Sequence, residues 1–173
     1  MSGAQRQRYA SFGVSVKIAL IVLACVVGLT LLVLLVRSRI VPTYLVTTSD
    51  IPRVISQLQL SGMDGHFAVL MFVPPGSSDD EAVNLQYSIE HGAVGLDWVL
   101  LGPRNIADRG KVTEFASQRG YRFEEHQGNG VRYLRLTGTG ISDLGARIVC
   151  EFYKIGPDTK LEMITEGFQW QEH

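Results

Sequence analysis

Nineteen consecutive residues, 18–36, contain no charge, proline, asparagine or glutamine, and no other feature of the sequence restricts the fold as strongly. The block begins at Ile18 and ends at Val36, and leucine, valine and isoleucine dominate it. As a helix rising about 1.5 Å per residue it reaches about 28 Å, enough to cross the hydrocarbon core of a bilayer. Because lipid offers the backbone no hydrogen-bond partners, such a block must be helical. We therefore expect a transmembrane helix whose partner is the lipid bilayer.

A cleaved signal peptide is the alternative interpretation of this block, since signal peptides also have a basic start and an apolar stretch. Their apolar stretch is shorter, about 7–15 residues, and ends in a small-residue cleavage site. Here the block is longer and runs directly into Arg37, Ser38 and Arg39. Lys17 on one flank and the two arginines on the other can extend to the lipid headgroups. We expect an uncleaved signal anchor and a single-pass membrane protein.

The positive charges around the block do not decide its orientation. Three cations lie on each side: Arg6, Arg8 and Lys17 in the leader, residues 1–17, and Arg37, Arg39 and Arg53 beyond the block. The positive-inside rule therefore gives no preference. Short basic leaders before a single anchor commonly stay in the cytoplasm, so we expect the domain on the outer side of the membrane.

The charge beyond the block argues against binding to nucleic acid. From Arg37 onward the chain carries 13 of its 16 lysines and arginines and all 17 acidic residues, a formal charge of −4. Nucleic-acid binders instead cluster positive charge on one face. Cys25 lies inside the block and Cys150 lies in the domain, so we expect no internal disulfide.

A tether and a globular domain follow the block, at residues 37–48 and 49–173. The domain is expected to begin with a helix, because Ser49 or Asp50 can cap its N-terminus. The next segment, residues 66–73, is an apolar run bounded by glycine and proline, which is typical of a buried strand.

Residues 79–91 fit two structures. Ser78 and Glu81 have the S-x-x-E spacing of a helix-capping box, which favours a helix. From residue 83 to residue 90, however, apolar and polar side chains alternate, and they alternate again over residues 94–101. Alternation of this kind predicts two strands of a hairpin. We expect the hairpin, with the helix as the alternative.

The second half of the domain contains patterns for a helix, a hairpin and another helix. Asn105 can cap the first helix, with Ile106 on its inner face. Residues 121–137 have an Asn-Gly pair in their middle, which supplies the positive φ angles of a tight hairpin turn. An amphipathic helix is expected over residues 142–153, and residues 161–170 can add an edge strand.

The expected order of elements is α-β-β-β-α-β-β-α, with a possible closing strand. Strand pairs joined by short turns favour a mainly antiparallel sheet with helices packed on it, which is an α+β fold. This order is similar to that of the type III secretion chaperones over about residues 50–155. The resemblance is one of topology and assigns a role to no residue.

No pattern in the sequence assigns a catalytic, cofactor or metal site. The glycine-rich turn at residues 138–145 has Asp143 where G-x-G-x-x-G requires glycine, and a carboxylate there would repel a pyrophosphate. The four histidines have no recognised metal-ligand spacing. Asp97, in an apolar strand, is expected to be solvated or to pair with an arginine. Cys150 is expected to be a buried and unreactive thiol.

Aromatic and arginine side chains are the best candidates for contact with another molecule, because these residue types anchor interfaces. They are Tyr121, Phe123, Arg132, Tyr133, Arg135, Phe168 and Trp170. The alternative is that the aromatic residues fill the core. We expect the domain to bind a protein partner or a membrane assembly, without a cofactor.

A second hypothesis is a membrane-tethered enzyme or small-ligand sensor. Its site would assemble across the sheet from Asp97, Arg104, Glu125 and His126. A deep polar pocket in which these side chains converge would favour the enzyme, and a closed sheet face would favour binding.

Overall fold

A computed structural model describes residues 42–128 and 130–172 of the chain. The leader and the predicted transmembrane helix at residues 18–36 lie outside these described residues. None of the helices within the described residues is long and apolar enough to cross a membrane.

The described residues form seven strands and three α-helices. The strands are β1 (Thr43–Val46), β2 (Phe67–Phe72), β3 (Val83–Glu90), β4 (Ala93–Val99), β5 (Arg122–Gly128), β6 (Val131–Thr137) and β7 (Leu161–Glu166). The helices are α1 (Ile51–Ser61), α2 (Pro103–Ser117) and α3 (Ile141–Arg147). One π-helical segment, Ile148–Phe152, continues α3, so the helix predicted over residues 142–153 is present in two parts.

All seven strands belong to one antiparallel sheet in the order β1-β7-β2-β3-β4-β6-β5. This confirms the predicted α+β class with a mainly antiparallel sheet. The hairpin predicted over residues 83–101 is also present, as β3 and β4. The capping box of Ser78 and Glu81 closes only a single 3-10 turn, Asp79–Glu81.

Two expectations about the ends of the domain are wrong. Thr43–Val46, assigned to the tether, pair with β7 as a strand and bury Val46 in the core. The closing strand predicted within residues 161–170 is present as β7, but it is not an edge strand, because β1 pairs with one of its sides and β2 with the other. It ends at Glu166, so Phe168 and Trp170 lie beyond it.

The helices pack on one face of the sheet, where alternate strand residues form a single core with them. The strands β3, β4 and β6 supply its centre, with the fully buried side chains of Tyr87, Trp98 and Leu134. The residues between these alternate positions point to the opposite face. We call that opposite face, which the described helices leave uncovered, the open face.

Helix α2 begins earlier than Asn105. Gly102 is its N-cap and Pro103 its first residue, so Asn105 lies inside the helix and Ile106 is 55% exposed instead of facing inward. The Asn105 side chain accepts from the backbone N–H of Asn84 at 3.1 Å and donates to its carbonyl at 2.8 Å. The buried amide therefore fixes α2 to the start of β3, which rotates Ile106 outward.

Candidate functional site

The structure divides the seven residues predicted for an interface into two groups. The side chains of Tyr121, Phe123, Arg132 and Tyr133 are at least partly accessible, and all four lie on or beside the hairpin of β5 and β6. Arg135, Phe168 and Trp170 are buried, with 6%, 8% and 6% of their surface exposed. The surface prediction is therefore not met for these three residues, and the alternative that aromatic residues fill the core applies to Phe168 and Trp170.

Trp170 and Phe168 are held by contacts within the domain. The guanidinium of Arg53 lies over the Trp170 ring, 4.6 Å from its centroid. The Thr165 hydroxyl donates to the Phe168 carbonyl at 3.0 Å. These contacts tie the segment after β7 to the sheet and to α1.

Strand β5 is one of the two edge strands of the described sheet, and β1 is the other. Among the described residues β5 pairs only with β6, and six of its seven residues are exposed. An edge strand presents backbone N–H and C=O groups along its free side, which can pair with another chain. Phe123, 46% exposed, places an aromatic ring at this edge.

Side chains of β5 alternate between the two faces of the sheet. Phe123 pairs in register with Leu136 of the core, so it lies on the helix-covered face together with Glu125. Glu124 pairs with Arg135 and therefore lies on the open face, together with Arg122 and His126. Glu124 and Glu125 therefore point to opposite faces of the sheet.

The two glutamates of β5 differ in their ion pairs. Glu125 bonds Arg109 of α2 at 2.6 Å and lies 3.6 Å from Arg132. The Glu124 side chain is 83% exposed, and its nearest basic atom among the described residues is the His126 Nε2 at 3.6 Å. Arg122 forms no ion pair within the described residues. Arg122 and Glu124 thus leave two opposite charges on the open-face side of the edge, a feature that the sequence analysis missed.

An apolar groove adjoins this edge on the side of α2. It has a volume of about 350 Å³ and lies between the β4–α2 connection and the start of β6. Leu101, which is 68% exposed, and Ile106 line it together with Val131. Arg109 and Arg132, the two cations that hold Glu125, form its rim.

Asp97, the first candidate for chemistry, lies on the open face in a closed ion cluster. Its carboxylate accepts from the Ser88 hydroxyl at 2.5 Å and from the Arg135 guanidinium at 2.8 Å. The side chains of Asp97 and Arg135 are 1% and 7% exposed. The expectation of an arginine partner for Asp97 is confirmed. Burial raises the pKa of the Asp97 carboxyl, while the bonds from Ser88 and Arg135 act in the opposite direction.

The Arg135 guanidinium is held by groups of the domain itself. Nη1 donates to the Ser88 hydroxyl and to Asp97, and Nη2 donates to the carbonyls of Ser88 and Ala93. Nε lies 3.4 Å from the Glu90 carboxylate. Four of the five N–H groups of the guanidinium therefore donate hydrogen bonds within the domain, and the fifth, on Nε, lies near a carboxylate. Such a cluster is suited to holding three strands together rather than to binding an anion.

Tyr133 completes the cluster at the surface. Its hydroxyl donates to Glu90 at 2.8 Å, and its ring packs against His126 with 5.4 Å between centroids. Burial, together with the hydrogen bond to Glu90, raises the pKa of Tyr133 to about 12. The phenol therefore stays protonated at neutral pH and acts as a donor.

The four residues of the enzyme hypothesis do not form one site. Asp97 and His126 lie on the open face, whereas Glu125 points to the helix-covered face. Arg104 lies on α2, where it donates to Asp108 at 2.6 Å. Each of these side chains has its own partner in a different place.

The remaining motifs give no site for a cofactor. Residues 42–128 and 130–172 contain no cluster of three His, Cys, Asp or Glu side chains that could hold a metal ion. In the glycine-rich turn, a Cβ on Gly140 would lie 3.3 Å from the Asp143 carboxylate, so negative charge already occupies the loop. Cys150 is half-buried rather than buried, with its Sγ 3.7 Å from the Thr48 hydroxyl.

Comparison with known proteins adds no assignment, since no family model, no curated protein and no solved structure matches this chain.

Proposed function

We propose that the chain is a single-pass membrane protein, anchored by residues 18–36, whose α+β domain binds another protein at the membrane. The observation that supports this most is the free edge of β5. We use the name β5 surface for this strand, Arg122–Gly128, together with Leu101, Ile106 and Arg132.

The β5 surface combines the features that protein interfaces use. Its backbone edge can accept an extended segment of a partner by strand addition. Phe123 and the groove of Leu101 and Ile106 provide apolar area, and Arg132 provides a guanidinium at the rim. Aromatic and arginine residues are enriched at interfaces, with apolar area at the centre and polar groups around it.

The membrane part of the proposal comes from the sequence. The length and composition of residues 18–36 support an anchor, and the basic leader supports a cytoplasmic N-terminus with the domain on the outer side. A reporter fused after His173 that is active on only one side of the membrane tests this orientation. Activity only outside the cytoplasm is expected, and activity only inside it overturns the orientation.

Co-purification tests the binding proposal. Full-length tagged protein extracted in mild detergent is expected to carry a stoichiometric protein partner, and Phe123→Asp, which puts a charge in place of the exposed ring, is expected to lose it. Leu60→Asp is the matched control, because Leu60 on α1 is also an exposed large apolar residue, at 87%. The proposal is contradicted if the wild-type chain is recovered with no bound protein, meaning neither a different protein nor a second copy of the chain. Equal loss of the partner in both variants contradicts it as well.

A further inference from the structure

We infer that the partner at the β5 surface is a second copy of this chain. Strand β5 of one copy pairs antiparallel with β5 of the other around a two-fold axis at Phe123, which joins two seven-stranded sheets edge to edge. The inference rests on the proposed function and names the partner of that same surface.

Symmetry restricts how two β5 strands can pair. In an isologous contact, if residue i faces residue j, then residue j faces residue i. Antiparallel pairing in one continuous sheet places the axis perpendicular to the sheet, so the helix-covered faces of both copies lie on the same side. Two residues that pair across the axis must then lie on the same face of the sheet. Because side chains alternate between the faces along a strand, two paired positions differ by an even number, and the axis passes through the residue midway between them. The possible centres are therefore single residues of β5.

Charge selects one of these centres. With the axis at Phe123, Arg122 of each copy faces the partner's Glu124, so two opposite-charge pairs form. With the axis at Arg122, Glu124 or Glu125, two like charges face each other across the axis. With the axis at His126, Gln127 or Gly128, neither Arg122 nor Glu124 meets an opposite charge on the partner's β5. Cross-strand pairs of opposite charge stabilise a sheet, and like charges placed directly opposite destabilise it.

The structure leaves these groups available for the contact. Glu124 is 83% exposed with only His126 near it, and Arg122 has no carboxylate partner among the described residues. At the axis the two Phe123 rings meet on the helix-covered face, which removes an exposed aromatic side chain from water. Charged residues on an edge strand normally discourage pairing. On β5 they are spaced so that they attract a second copy in this one register.

Charge reversal tests the register. Full-length protein in mild detergent is examined by light scattering during size-exclusion chromatography, which gives the protein mass apart from the detergent. We expect two chains for the wild type and one chain for Arg122→Glu and for Glu124→Arg. The double variant, Arg122→Glu with Glu124→Arg, restores both pairs in exchanged positions and is expected to restore two chains. Circular dichroism of each variant confirms that the domain is folded.

Disulfide formation tests the position of the axis independently. In a background with Cys25→Ser and Cys150→Ser, Phe123→Cys places two thiols on directly facing residues, whose Cα atoms are about 4.5–5.5 Å apart, within disulfide range. Gln127→Cys is the matched control on the same strand and face. Its two copies lie eight residues apart along the strand, about 27 Å at about 3.4 Å per residue. Oxidation in membranes is expected to crosslink the first variant and not the second.

The outcomes separate this inference from the proposed function. A single chain carrying a different bound protein overturns the inference and leaves the proposed function standing. A wild-type mass of one chain with nothing bound overturns both. The inference is also overturned if both single reversals keep a mass of two chains, or if the double variant has a mass of one chain. Equal crosslinking at residues 123 and 127 overturns it as well.

Discussion

Removing the guanidinium from the buried ion cluster is expected to destabilise the domain strongly. Arg135→Met keeps most of the length and apolar volume of the side chain but deletes all five donors. The Asp97 carboxylate, 1% exposed, then retains only the Ser88 hydroxyl, and two backbone carbonyls lose their donors. Breaking a buried pair by removing one partner costs about 3–5 kcal/mol, and we expect the free energy of unfolding to fall by that amount.

Two matched variants show whether the loss comes from the buried charge. Arg109→Met breaks the ion pair between Arg109 and Glu125, whose side chains are 41% and 44% exposed. Because exposed ion pairs contribute only about 0–1 kcal/mol to stability, this variant is expected to lose no more than that. Replacing the whole cluster, by Arg135→Met with Asp97→Leu and Ser88→Ala, leaves no unpaired carboxylate. Because apolar replacements of buried ion pairs are often neutral or stabilising, this triple variant is expected to recover at least about 2 kcal/mol of the loss.

The pH dependence of the Arg135→Met variant provides a further measurement. Burial already raises the pKa of Asp97, and loss of the guanidinium raises it further. An acid whose pKa is higher in the folded than in the unfolded state binds its proton more tightly when folded, so stability falls as pH rises through the interval between the two values. The loss of stability relative to the wild type is therefore expected to be smallest below the ordinary aspartate pKa of about 3.9 and to grow as the pH rises above it.

Urea unfolding of the full chain in detergent, followed by the fluorescence of the two buried tryptophans, Trp98 and Trp170, measures these differences. If Arg135→Met lowers the free energy of unfolding by less than about 1 kcal/mol, the argument that Arg135 compensates a buried charge is refuted. A triple variant no more stable than the single variant refutes it as well, because the unpaired carboxylate is then not the cause.

Three further predictions use the same unfolding assay. A Cβ on Gly95 would lie 2.7 Å from the guanidinium carbon of the ion cluster, so Gly95→Ala is expected to cost about 1–3 kcal/mol by overpacking. Gly110→Ala, in open space on α2, is its control and is expected to gain about 0.5–1 kcal/mol. Asn105→Leu removes both hydrogen bonds to the backbone of β3 and is expected to cost about 1–3 kcal/mol for each buried group left unsatisfied. Burial raises the pKa of Asp108, but bonds from a lysine, a tyrosine and an arginine outweigh it and hold that pKa below its usual value. Asp108 therefore contributes stability above its pKa in the unfolded state, and this contribution is lost as the pH falls through its pKa in the folded state. Asp108→Asn is expected to make the free energy of unfolding depend less on pH in this acidic range.

The strand pattern of the central sheet was readable from the sequence because those strands have one buried and one open face. Val83, Leu85 and Tyr87 alternate with polar residues, and the structure buries that set completely. β1 lacks such a signal, since four residues are too few to establish a period and Leu45 is exposed beside buried Val46. β7 has the alternation of a solvated strand, with Glu162 and Glu166 on the open face, and this pattern does not distinguish an edge strand from an inner one.

The identity of the Asp97 partner depends on information that the sequence does not carry locally. Alternation places Asp97 and Arg135 on the face opposite the core, which made an arginine partner a reasonable expectation. Pairing them requires β4 to lie next to β6 in a register that aligns these two residues, although α2 and β5 separate the two strands in the chain. The predicted start of α2 at Asn105 was wrong for a related reason. The Asn105 amide satisfies the backbone of a strand 21 residues away rather than its own helix terminus.

The ion cluster and the edge of β5 are connected through β6. Arg135 of β6 donates to groups on β3 and β4, so the inner strand of the hairpin is fixed to the centre of the sheet. β5 pairs with β6 along its whole length, and the Arg109 bond to Glu125 secures it to α2 as well. A partner that adds a strand to β5 therefore meets an edge that is already ordered. Because ordering costs reduce affinity, such a preorganised edge can bind through few side chains, and weakening the cluster should weaken association without any change to the β5 surface itself.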